Sequence, residues 1–185
     1  MAHTDISPGQ FIKVGETYKL NDFNRARFLR WVVAKDKPCG YYVGINPGWN
    51  RSPEEYSHKL QSEKVGNTTR RRCSISAAYI FLTLSHEPSH QQVDVYSFGN
   101  ILYMLLQKDW PFREVDEKEA KKLIRKGYRP SFDAAVWNST DHIDMVLKEA
   151  MIMCHEQEAK DRASSREVEI FLKQHLQNFS GGQVD

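Results

Sequence analysis

Apolar residues are distributed unevenly along this 185-residue chain, and their spacing changes character near residue 93. In "VDVYSFGNILYMLLQ", Val93 to Gln107, nearly every face of a helix would be apolar. Such a helix is surrounded by protein and does not lie on a surface, so the stretch is predicted as a central buried helix. After "DWPF", the run "EVDEKEAKKLIRKG" places Val115, Ala120, Leu123 and Ile124 near one face and reaches Gly127, a usual helix stop. A surface helix is expected there. "DHIDMVLKEAMIMC" sets Ile143, Val146, Leu147, Ala150, Met151 and Cys154 at three- and four-residue steps, and "SSREVEIFLKQHL" opens with Ser164 three residues before Glu167, a capping-box spacing. Two more helices follow. Residues 1–56 read differently: Pro8, Pro38, Pro47 and Pro53, with Gly9, Gly15, Gly40, Gly44 and Gly48, punctuate short apolar runs such as "YKL" and "YYVGI". That is the pattern of loop with short strands. The terminal "NFSGGQVD" is expected to fray.

Composition narrows the classes. A chain of this length suits one domain, which buries roughly 70% of its unfolded surface. Lys plus Arg number 26 and Asp plus Glu 24, so the net charge of +2 gives no general field toward nucleic acid or an anionic membrane. Cys39, Cys73 and Cys154 are odd in number, far apart and in no CxxC spacing, which suggests neither a disulfide framework nor a zinc site. A reducing, cytoplasmic or otherwise intracellular setting fits. "MAHTDISPG" has no basic or apolar leader regions, and no apolar run reaches the roughly 18 residues of a membrane span.

The candidate chemistry sits at the two ends of the irregular segment. His3, Asp5 and Gln10 in "HTDISPGQ" are spaced like the protein-kinase catalytic loop HRDLxxxN, and Asp22 and Phe23 like the DFG motif after it. Further landmarks follow in order: "SPE" (Ser52 to Glu54) for APE, "DVYSFG" (Asp94 to Gly99), "WPF", "GYRP" and "DRASSREV". The chain therefore resembles the C-lobe of a protein kinase, closest in its final motifs to the tyrosine-kinase and tyrosine-kinase-like groups. The resemblance implies a mainly α fold, a helical subdomain around a buried helix with short strands at the catalytic and metal loops. It implies ATP-dependent phosphorylation of protein hydroxyls with Mg2+. Asp5 would accept the proton of the substrate hydroxyl, Asp22 would hold magnesium through hard carboxylate oxygen, and Gln10 stands where a second metal ligand is usual. His3 and Phe23 are motif residues. Glu54 would pair with Arg162, and Asp94 would cap the backbone of the catalytic loop.

The departures from the pattern are informative too. Thr4 replaces the arginine that reads a phosphorylated activation loop, and Ser7 replaces the lysine that neutralises the transferred phosphate in serine/threonine kinases. Gln10 adds a methylene where magnesium geometry is strict, and Asn24 replaces the DFG glycine. No glycine-rich phosphate loop or strand lysine occurs, so the expectation is a C-lobe without an N-lobe, starting inside a longer protein, with weak or no nucleotide binding in isolation. The competing expectation is a pseudokinase or protein-interaction module.

Four segments are expected: 1–56 with the catalytic, metal and activation elements, 57–92 as connector, 93–178 as helical subdomain and 179–185 as tail. From Glu54 to Asp94 there are 40 positions, against about a dozen in the family. Joining Lys64 to Val93 restores the shorter spacing. The Val65 codon begins with GT and Gln92 can be encoded by CAG, so 65–92 reads as a translated intron, with a genuine surface loop as the other reading. Within it, "TTRRRCS" reads as a solvated turn and not a nucleic-acid contact, and "AAYIFLTL" as an exposed β-prone run. His58, His86, His90, His142, His155 and His175 show no metal-like pairing. The charged face of "EKEAKKLIRK" reads as solvated surface. A protein substrate or protein partner is expected, with no specific nucleic acid, no membrane span and no readable oligomeric state.

Overall fold

The computed structural model describes residues 1–26, 31–32, 37–38, 49–56 and 91–176. The fold is mainly helical, with two small antiparallel strand pairs. The "YYVGI" run, residues 57–90 of the connector and insert, Cys39, Cys73, the first three of the connector histidines and the 179–185 tail lie outside the described residues.

Strands β1 (Phe11–Val14) and β2 (Thr17–Leu20) pair in register, Phe11 with Leu20 and Val14 with Thr17. Their two-residue turn needs positive φ, and Gly15 supplies it at 60°. The sequence marked only "YKL" of this hairpin as strand. Strands β3 (Trp31–Val32) and β4 (Lys37–Pro38) form the second pair. Helix α1 (Pro53–Tyr56) interrupts a segment expected to hold only loop and strand. Its cause is local: Ser52 precedes Pro53 at the first helical position, and the Ser52 N–H donates to Glu55 Oε2 at 3.0 Å, a capping box three residues long.

Helix α2 (Gln92–Gln107) begins one residue before the predicted start. It is apolar on opposite faces because two cores flank it. On one side Val95, Leu102 and Tyr103 meet Ala150, Met151 and Cys154 of α5 (His142–Cys154) and Val168 of α6 (Ser165–Leu176). On the other, Tyr96 joins Tyr56, Phe112 and the Ala120 and Ile124 of α3 (Glu117–Arg125). At Gly99 helix α2 packs tightly against the end of α5: a Cβ there would lie 2.7 Å from both Cys154 Cβ and His155 Cδ2.

The remaining helix ends obey local chemistry. Asp116 caps α3 by accepting from the Glu119 N–H at 2.8 Å. At the other end Gly127, at φ 90°, turns the chain while the N–H groups of Gly127 and Tyr128 satisfy the Ile124 and Leu123 carbonyls, a Schellman arrangement. Helix α4 (Ala134–Trp137) is one short turn. Asp141 caps α5, and the predicted capping box opens α6, with Ser164 N–H on Glu167 Oε2 at 2.7 Å and Glu167 N–H on Ser164 Oγ at 3.2 Å.

Candidate active site

Asp94, in the first turn of α2, reaches back to the start of the chain. Its Oδ2 accepts from the His3 N–H at 2.6 Å and its Oδ1 from the Thr4 N–H at 2.7 Å. These bonds hold Thr4 at φ 62°, a left-handed conformation that costs a β-branched residue energy. Thr4 Oγ1 then donates to the Arg25 carbonyl at 2.8 Å, and the His3 Nε2–H donates to the Asn21 carbonyl at 2.9 Å. His3 also meets the Phe23 ring edge-on, with centroids 4.9 Å apart. One half-buried carboxylate and one strained turn thus tie together α2, residues 3–5 and residues 21–25. Burial raises the Asp94 carboxyl above its ordinary range, opposed by the two N–H groups that favour its charge.

Asp5 sits next to that turn, half-buried. Its two oxygens face different donors: the Gln10 amide donates to Oδ2 at 3.1 Å, and Arg25 approaches Oδ1 at 3.4 Å. The amide's own oxygen, Gln10 Oε1, accepts no bond from a described residue. Asp22 is exposed and left-handed at φ 58°, and its carboxylate takes one long bond from the Asn24 N–H at 3.5 Å. The structure therefore brings His3, Asp5, Gln10, Asp22 and Phe23 into one neighbourhood. The Asp22 carboxylate and Gln10 Oε1 are each hard oxygen donors of the kind magnesium takes, alongside water and phosphate. No group of three or more His, Cys, Asp or Glu gathers among the described residues.

Glu54 and Arg162 stand apart from this cluster, and they meet as a bidentate pair. Arg162 NH1 and NH2 donate to the two Glu54 oxygens at 2.7 and 3.1 Å. The other N–H groups of the guanidinium reach the carbonyls of Gln92 at 2.6 Å, Glu156 at 2.9 Å and Gln157 at 3.3 Å. Its fork is fully used. Its plane also lies 5.1 Å from the Tyr96 ring centre, with Arg129 at 5.5 Å.

A second buried ionic group escaped the sequence. Arg51 NH1 pairs with Glu55 Oε1 at 2.9 Å, while Ser52 N–H and Oγ–H donate to Glu55 Oε2. Burial pushes the Glu55 carboxyl up to about 7, against the pull of Arg51 and Ser52. The S-x-x-E spacing of Ser52 and Glu55 was the available signal. Arg25 was missed as well, and its contact with Asp5 had no signal in local pattern. His155, one of the histidines without a metal-like spacing, is 4% exposed. Its Nε2 faces Asn100 Oδ1 at 3.0 Å, and burial, then the nearby Arg129 and Arg162, lowers its pKa to about 3, so it is neutral. Cys154 is likewise buried, its thiol pushed up to about 12 by desolvation. No helix among the described residues is long and apolar enough to cross a membrane.

No family model matches the chain. Two curated proteins of Dictyostelium discoideum share partial similarity with it. One probable serine/threonine-protein kinase is 30% identical over 90 residues, 48% of this chain and 6% of that protein. The probable serine/threonine-protein kinase gdt4 is 37% identical over 60 residues, 32% of this chain and 4% of gdt4. The matched stretches therefore span about a twentieth of these relatives' length. They support a relationship to protein kinases over a third to a half of the chain.

Proposed function

We propose that this chain carries the catalytic and metal loops of a protein-kinase-like phosphotransferase on a C-lobe-like helical body, acting on protein hydroxyls with ATP and Mg2+. The observation that carries the proposal is the Asp94 clamp. It uses a half-buried carboxylate to hold a strained turn, and strain of this kind persists where the surrounding structure fixes a functional group. The group so fixed is Asp5. Its half-buried carboxylate is oriented to take the proton of an acceptor hydroxyl, which aims that oxygen for attack. Asp22 and Gln10 would hold magnesium, which when bound neutralises charge on the phosphates. The kinase-named relatives agree with this class, while the acceptor residue, protein substrate and regulator belong to the whole protein.

A second reading is favoured by one observation: both Asp5 oxygens already face donors. In that case the segment is a relic, and the helical surface serves a protein partner. The test is phosphoryl transfer from Mg-ATP to a mixed Ser/Thr/Tyr peptide library by the protein in its native length. Asp5→Ala and Asp22→Ala should each lower kcat on the order of 100-fold or more with the circular dichroism unchanged. Turnover that survives Asp5→Ala would remove Asp5 as the base, and a native protein that neither binds Mg-ATP nor transfers phosphate would remove the enzymatic reading in favour of the interaction module.

A further inference from the structure

We propose that Arg25 supplies the positive charge that the transferring phosphoryl group meets beside Asp5; the inference rests on the phosphotransferase reading above. If Asp5 takes the acceptor hydroxyl's proton, the phosphorus under attack lies next to that hydroxyl, and charge on its oxygens must be met there. A cation brought to such a point is worth more in a partly dry site than in water. Among the described residues, Arg25 is the cation within ion-pair reach of Asp5. Ser7, in the same loop, carries no charge.

The way Arg25 is held suits a working group more than a structural one. Its backbone is fixed: it ends the short 3-10 turn Phe23–Arg25, its carbonyl accepts from Thr4 Oγ1 at 2.8 Å, and Ala26 N–H closes on Phe23. Its head is loose. The one contact is long at 3.4 Å, the two side chains are 38% and 25% exposed, and the rest of the fork bonds to no other described residue. An ion pair so exposed adds little to stability, so leaving it is cheap. Arg162, with five acceptors and a buried side chain, shows what an arginine used only for structure looks like in this molecule.

In the step itself Asp5 takes the hydroxyl proton as the acceptor oxygen bonds to the γ-phosphorus. The bond from that phosphorus to its bridging oxygen breaks, and the electron pair departs on ADP. Arg25 turns its N–H groups from Asp5 Oδ1 to the non-bridging oxygens, a geometry its planar fork matches well. The proton on Asp5 returns to solvent after the phosphorylated product leaves.

Two measurements on the protein in its native length test this. With Mg-ATP and the mixed peptide library, Arg25→Ala should lower kcat on the order of 100-fold while the KM for ATP stays within about threefold, and Arg25→Lys should recover part of the loss. Without nucleotide, inorganic phosphate should raise the melting temperature relative to matched chloride in the native protein and in Arg25→Lys, and not in Arg25→Ala. A native protein that turns over, with an Arg25→Ala variant equal to it or faster, overturns the inference alone; a faster variant would mean that Arg25 occludes the base. A phosphate effect that survives Arg25→Ala also overturns it. A native protein with no phosphoryl transfer removes the phosphotransferase reading, and the inference with it.

Discussion

The region around Arg162 and the region around Asp5 use charged side chains in opposite ways. In the helical body, a bidentate ion pair, three carbonyls and an aromatic face enclose one guanidinium, whose side chain is fully buried. Residues 1–26 have a small buried anchor at Ala2, His3 and Ile6, and beyond it an exposed hairpin with Ile12, Val14 and Tyr18 facing outward. Its carboxylates take long or single bonds, and two of its non-glycine residues are left-handed. Stability is concentrated where chemistry is not proposed, and the low-stability end of the molecule holds the groups that must rearrange.

The strongest way to break this contrast is Arg162→Ala. It removes the buried guanidinium that Glu54 and three carbonyls share, so denaturant unfolding should show a loss of about 3–5 kcal/mol across the whole body. Arg162→Lys should not restore it, because an ammonium cannot fill five acceptors. A loss under about 1 kcal/mol would show that the pair is ornamental to the fold.

The pH dependence sharpens the comparison next, since Glu55 lies beside Glu54 at the edge of the body. Its folded pKa of about 7 stands above the ordinary 4.5. Its contribution to stability is therefore fully present below about 4.5 and is lost as pH rises through about 7. Against Glu55→Gln at each pH, the native protein should lose up to about 3 kcal/mol between pH 5 and 8. His155 acts in the other direction, because its lowered pKa gives stability that is lost as pH falls below 6.5, but that slope is common to both proteins and cancels in the difference. A pH-independent difference would show that Glu55 is charged throughout.

The smallest expected effect is the most local. Asp94→Ala leaves the His3 and Thr4 N–H groups without their acceptor, at a cost of about 2 kcal/mol. Hydrogen exchange should accelerate at His3, Thr4 and the segment 21–25 and leave the amides of α5 protected. Uniform acceleration through both regions would erase the distinction between a rigid body and an anchored loop.

The helices were legible because each is decided by short-range pattern. The all-round apolar run became α2, and the steps of three and four became α5. The Ser164–Glu167 spacing became a capping box with both of its bonds. Strand β1 and helix α1 were not read. Phe11–Val14 pairs on one edge and is largely exposed, so it lacks the buried alternation that marks strands. In α1 the prolines that suggest loop hid a proline at the first helical position.

By itself the sequence determined the four longer helices, the Ser164–Glu167 cap and the order of motif residues, since these depend on neighbours within a turn or two. The tertiary structure decided which charges are enclosed in structural contacts and which stay exposed. Asp94 finds the His3 N–H across 91 positions and Arg162 finds Glu54 across 108. Arg25 meets Asp5 across 20. Ion pairs and caps at such separations leave no periodic trace, because their partners are chosen by the packing of α2 against the rest of the fold and not by the chain between them.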